Sequence, residues 1–147
     1  MLSSDRDNLR RQYIEAWRKY RAREPLTPLE DMVAQVILDH PEYHGLLDDA
    51  DRALERDYLP EDGETNPFLH MSMHLALREQ AGIDRPPGIR AVHERLSRVL
   101  GNALEAEHRM MDQLAESLWL AQRDGTMPDE RAYVAALQEM ANRMERG

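Results

Sequence analysis

The chain has no cysteine. Disulfides, thiolate metal sites and cysteine nucleophiles are thereby removed together, so any metal must be held by nitrogen and oxygen. Positive charge is in deficit: 19 Lys and Arg stand against 28 Asp and Glu, a net charge of −9. Attraction to a nucleic-acid backbone or to anionic lipid is not expected from such a balance. No stretch approaches the roughly 20 apolar residues of a membrane span, and Met1-Leu2-Ser3-Ser4-Asp5-Arg6-Asp7 contains no apolar h-region. The expectation is a cytoplasmic protein with neither a membrane nor a nucleic-acid partner. Phosphate-binding, dinucleotide-binding and G-x-S-x-G signatures are all missing. Aromatic residues make up only 5% of the chain, and no run of alternating Val, Ile or Thr argues for a sheet.

What remains is helix-forming material. Nine methionines and many leucines and alanines supply apolar volume without branching at Cβ. A chain of 147 residues can bury about two-thirds of its unfolded surface around one core. The expectation is an all-α, single-domain helical bundle of five to seven helices spanning residues 1–147. Leu9, Tyr13, Ala16, Trp17 and Tyr20 mark a first helix that should end near Glu24, before Pro25. Thr27-Pro28-Leu29-Glu30 combines a capping box with a proline in the first turn of a second helix running to about Asp39. Pro41 starts a new turn, Leu46 to about Tyr58 reads as a short acidic helix, and residues 59–65 read as a loop carrying the turn dipeptide Asp62-Gly63. Further helices follow from Asn66 to Gly82, from Ile89 to Leu100, from Asn102 to about Arg123, and through Tyr133, Ala136, Leu137, Met140 and Met144.

The chemistry concentrates in the helix opened by Asn66 as cap and Pro67 at its first position. His70 and His74 are four residues apart, so they share a face within about 40° of each other. Ser72 and Glu79 lie roughly opposite and are taken as the solvent side, which turns the imidazole pair inward. A partner is expected on the helix after Asn102, where Glu105 and His108 form an E-x-x-H pair followed by Asp112 and Glu116, with Met111, Leu118, Ala115 and Leu104 on the adjoining core side. The two helices are expected to run antiparallel and to line a polar pocket. His70, His74 and His108 form the first-choice metal triad; Glu105, Asp112 and His44 are further ligands or groups that orient an imidazole. In a catalytic version, Glu105 or Asp112 takes the proton from a metal-bound water. Pro41 is expected to spoil the common face of His40 and His44, leaving His44 as the better donor of those two. His93 is read as a surface or boundary residue. Such a donor set suits Zn²⁺, Fe²⁺, Mn²⁺ or Ni²⁺, with no organic cofactor. Because Met71 follows His70, the general base of an H-E-x-x-H protease is missing.

The segment from Asn66 to Gln80, followed by Asp84-Arg85-Pro86-Pro87-Gly88-Ile89-Arg90, resembles the uncharacterised bacterial family called domain of unknown function 1841. Asp5-Arg6-Asp7 with Arg10-Arg11, His40-Pro41-Glu42-Tyr43-His44, and Glu107-His108-Arg109-Met110-Met111 through Trp119 extend the resemblance over nearly the whole chain. It implies a small, soluble proteobacterial protein of unassigned activity and supplies no reaction. The helix pair is also similar to four-helix metal bundles of the DinB-like kind, whose sites use three histidines. A rival from a different class is a helical interaction or self-association module, in which the acidic surface and Met-rich stripes meet a protein partner or a second copy and the histidines only pair with nearby carboxylates.

Overall fold

The computed structural model describes residues 2–58 and 66–147, with side chains from residue 5 onward. The loop expected at 59–65 lies outside the described residues. Among the described residues every regular element is helical, in the order α1 Leu2–Arg21, α2 Pro28–Leu38, a single 3₁₀ turn Pro41–Tyr43, α3 His44–Asp48, α4 Ala50–Glu55, α5 Pro67–Ile83, α6 Ile89–Leu100, α7 Ala103–Asp124 and α8 Glu130–Arg146. That is eight helices where five to seven were expected. The additional one arises because the 46–58 stretch is broken at Asp49. Asp49 is extended (φ −112°, ψ 90°) and its carboxylate accepts the Arg52 amide, so it caps α4 instead of continuing α3. No described helix is long and apolar enough to cross a membrane.

Two compact units divide the chain, Met1–Leu75 and Ala76–Gly147, the division falling inside α5. In the first, α1 packs against α2, α3 and α4. Its apolar cluster joins Tyr13, Ala16 and Trp17 of α1 to Val33, Val36 and Ile37 of α2, with Leu46, Leu47, Ala53, Phe68 and Met71. The polar ends of this core are satisfied: the Trp17 indole donates to Asp48 Oδ1 at 2.9 Å. Arg10 is 2% exposed, and its guanidinium donates to the carbonyls of Ala53 (3.0 Å), Leu54 (3.4 Å) and Arg56 (2.6 Å) at the end of α4. Its charge also sits over the Phe68 ring, 4.9 Å from the centroid. Burial, and then Arg6, pull the Arg10 pKa below its ordinary value.

In the second unit α6 packs against α7 and α8, and α7 packs against α8. The buried stripes are Ile89, Val92 and Leu96 on α6, Ala106, Glu107, Met110, Met111, Leu114 and Ala121 on α7, and Tyr133, Val134, Leu137 and Ala141 on α8. Before α6, Asp84 Oδ1 accepts the amides of Gly88 and Arg90, both at 3.1 Å. Gly88 is left-handed (φ 97°), and a Cβ there would meet Val134 Cγ1 at 3.3 Å, so glycine answers both the backbone angle and the approach of α8.

Candidate metal centre

The start of α5 forms as its sequence requires. Asn66 Oδ1 accepts the amides of Phe68 (3.0 Å) and Leu69 (3.3 Å), and Pro67 fills the first helical position, where an amide would have no helical acceptor. The buried face of this end carries Phe68, Met71 and His74, with His70 half-buried beside them. Ser72, read from the helical wheel as solvent-facing, is half-buried and lies with Oγ 2.8 Å from Tyr13 OH.

His70 and His74 face each other through their Nε2 atoms, 3.3 Å apart, with ring centroids 4.8 Å apart and planes at 78°. Tetrahedral coordination with Zn–N bonds of about 2.0–2.1 Å places neighbouring ligand nitrogens about 3.3 Å apart. The pair is therefore spaced as two donors to one ion would be.

A third imidazole joins them, and it is His40. It is 2% exposed, and its ring centroid is 5.1 Å from that of His70 and 4.7 Å from that of His74. His40 caps the 3₁₀ turn at φ −127°, ψ 67°, outside helical geometry, and its Nδ1 lies 2.7 Å from the Val36 carbonyl. A carbonyl can only accept, so that contact puts a proton on Nδ1, and in the neutral ring the lone pair is then on Nε2. The donor nitrogens of His40, His70 and His74 all lie within 4.8 Å of one another. Tyr43 stacks flat on the outer side of His40, centroids 5.6 Å apart and planes at 7°, and meets His70 edge-on at 6.4 Å. Burial raises the pKa of its phenol.

Of the other sequence-selected residues, His44 does other work. His44 has Nε2 2.8 Å from the Ile37 carbonyl and its ring 4.4 Å from Trp17. His108, on α7 in the second unit, has Nδ1 3.2 Å from Glu105 Oε1. That is the arrangement by which a carboxylate orients an imidazole. Glu105, Asp112 and Glu116 are exposed on the same helix. Of the expected core side of α7, Met111 is buried and Leu104 half-buried, but Ala115 is exposed and Leu118 is 50% exposed; Trp119 is 58% exposed. The buried stripe passes instead through Glu107, which is 1% exposed and accepts from Arg78 Nε at 3.0 Å while lying 3.0 Å from His93 Nε2. His93 is thus half-buried against a carboxylate. Sequence reasoning passed over His40 and Glu107. The second had a signal, since it stands three, four and seven residues before Met110, Met111 and Leu114.

No curated protein and no solved structure matches the chain. A family model does, over residues 5–139. The chain therefore belongs to the family described as Domain of unknown function (DUF1841).

Proposed function

We propose that the chain binds one divalent first-row cation through the histidine cluster at the start of α5, with His70 and His74 as its paired donors and His40 as a third. The observation that carries this reading is the 3.3 Å approach of two Nε2 atoms beside a third imidazole whose Nδ1 is committed to a carbonyl. His108, with Glu105 orienting it and Asp112 further along α7, is proposed from its E-x-x-H pattern as a further donor. An all-imidazole set suits Zn²⁺, Fe²⁺ or Ni²⁺, and Mn²⁺ less well. With three or four nitrogens and no cysteine, the ion would serve as a Lewis acid or a redox centre, or would simply be held.

Metal analysis of protein purified after metal-replete growth tests this. Wild type should carry about one ion per chain and His74→Ala less than about 0.1, because removing one donor of the close pair breaks the chelate. A content below about 0.1 in both proteins overturns the reading.

The rival, an interaction module with structural histidines, draws support from the exposed Leu118, Trp119 and Met127 of the second unit. Under it, His70→Ala lowers stability and added Zn²⁺ leaves the melting temperature unchanged.

A further inference from the structure

Two of the three paired imidazoles are aimed by a helix: α5 carries His70 and His74 one turn apart, and their Nε2 atoms approach to 3.3 Å. The third is aimed by something else. His40 stands after the end of α2 with a backbone (φ −127°, ψ 67°) outside helical geometry, so no helix sets the direction of its ring. The 2.7 Å contact of Nδ1 with the Val36 carbonyl pins one corner of the imidazole. With Cβ and Nδ1 held, the ring can still swing about the line joining them, and that swing carries Nε2 toward or away from the α5 pair. A flat neighbour opposes it.

That neighbour is Tyr43, and the local sequence puts it there. A 3₁₀ helix has three residues per turn, so side chains at i and i+3 eclipse. Pro41 opens the turn at its first position, and the Tyr43 amide closes it by donating to the His40 carbonyl at 2.9 Å. The two rings are therefore stacked, centroids 5.6 Å apart and planes 7° from parallel. The same phenol ring meets His70 edge-on, centroids 6.4 Å apart and planes at 76°. One side chain thus faces a donor from the turn and a donor from α5.

We propose that Tyr43 is a positioning residue of the histidine cluster: its ring face, not its hydroxyl, holds the His40 imidazole in the plane from which Nε2 reaches an ion shared with His70 and His74. The proposal rests on the metal reading and deepens it, by naming a residue that sets the coordination without touching the ion. Groups standing behind a ligand in this way change metal affinity about 10–100-fold.

The test uses the full chain and two readouts, Zn²⁺ affinity by competition with a chelating dye and the visible absorption of Co²⁺-loaded protein. Tyr43→Leu should weaken Zn²⁺ binding about tenfold or more and alter the Co²⁺ bands, because His40 no longer meets the ion at its wild-type angle. Tyr43→Phe keeps the ring and should restore both. In a His40→Ala background Tyr43→Leu should have no further effect, since there is no imidazole left to hold. Pro41→Gly, at an exposed position, keeps both rings but loosens the turn between them, and it should show part of the loss. A Tyr43→Leu protein with wild-type affinity and Co²⁺ spectrum overturns the proposal even if it melts at a lower temperature, for then the ring only packs. If Tyr43→Leu does not fold, a Pro41→Gly protein indistinguishable from wild type in both readouts overturns it. A loss in Tyr43→Phe as large as that in Tyr43→Leu removes the role of the ring face. Wild type that binds neither metal sinks the metal reading and this inference together, whereas tight binding in wild type and Tyr43→Leu alike sinks only this one.

Discussion

Arg10 shows how much a single side chain can decide. A guanidinium that is 2% exposed is costly to bury, and it is kept because three carbonyls at the end of α4 take its protons. Arg10→Leu leaves those carbonyls without their donor, and the loss should be about 3 kcal/mol, read as a lowered midpoint in chemical denaturation. Arg6 is the control, because its partner Asp57 is solvent-exposed. Arg6→Leu should cost less than about 1 kcal/mol. The same scale explains what the sequence made legible in the candidate site. His70 and His74 could be read because an unbroken helix converts a spacing of four into a shared face. His40 could not, since its ring is aimed by main chain that has already left α2 and by the Val36 carbonyl, neither of which a helical wheel represents. His44 was favoured for standing inside the new turn, but the Ile37 carbonyl and Trp17 hold its ring. Glu107 stands beside His108, but the E-x-x-H pattern selects Glu105, the exposed neighbour on the same turn. The apolar spacing around Glu107 points to its burial.

Helix termini account for most of what was right and wrong about the elements. Proline and asparagine signals placed the starts of α2 and α5 because those caps are local, needing only residues within one turn. α1 ends at Arg21, three residues before the expected end near Glu24. The chain turns at Arg23 (φ 59°), with Arg23 N–H on the Tyr20 carbonyl and Glu24 N–H on that of Lys19, a closing motif usually built on glycine. An arginine in that role gives no warning. Asp49 likewise divided one expected helix into α3 and α4. The capping box of α2 is the clearest test at this scale. Thr27 Oγ1 accepts the Glu30 amide at 3.1 Å while Glu30 Oε1 accepts the Thr27 amide at 2.9 Å. Thr27→Ala should cost about 1 kcal/mol near neutral pH. The Thr27 amide, and then Lys19, hold the Glu30 carboxyl below its ordinary pKa. A depressed carboxyl stabilises the fold above its unfolded pKa and loses that contribution as pH falls through the folded value. Glu30→Gln should therefore be less stable than wild type at pH 7, with the gap closing as pH drops below about 4, where both side chains are neutral. Thermal melts of the two proteins across that range provide the check.

At the scale of the whole molecule, composition said the most about class and the least about chemistry. An all-helical chain followed from abundant unbranched apolar residues and the absence of alternating β-branched runs. A net charge of −9 located no site, because a sum carries no positions. Global stability is nonetheless the sharpest judge between the two functional readings. A ligand that binds only the folded chain stabilises it by mass action, about 2.7 kcal/mol at a free concentration 100 times its Kd. For a chain of this size that corresponds to a rise of roughly 5–10 °C in melting temperature. Added Zn²⁺ should produce such a rise in wild type, and His40→Ala should abolish most of it, although the sequence favoured His44 over that histidine. His44→Ala should keep the full rise, since its ring nitrogen is committed to the Ile37 carbonyl. If instead His70→Ala lowers the melting temperature while Zn²⁺ moves neither protein, the imidazoles are packing and hydrogen-bonding groups, and the interaction reading takes the place of the metal one.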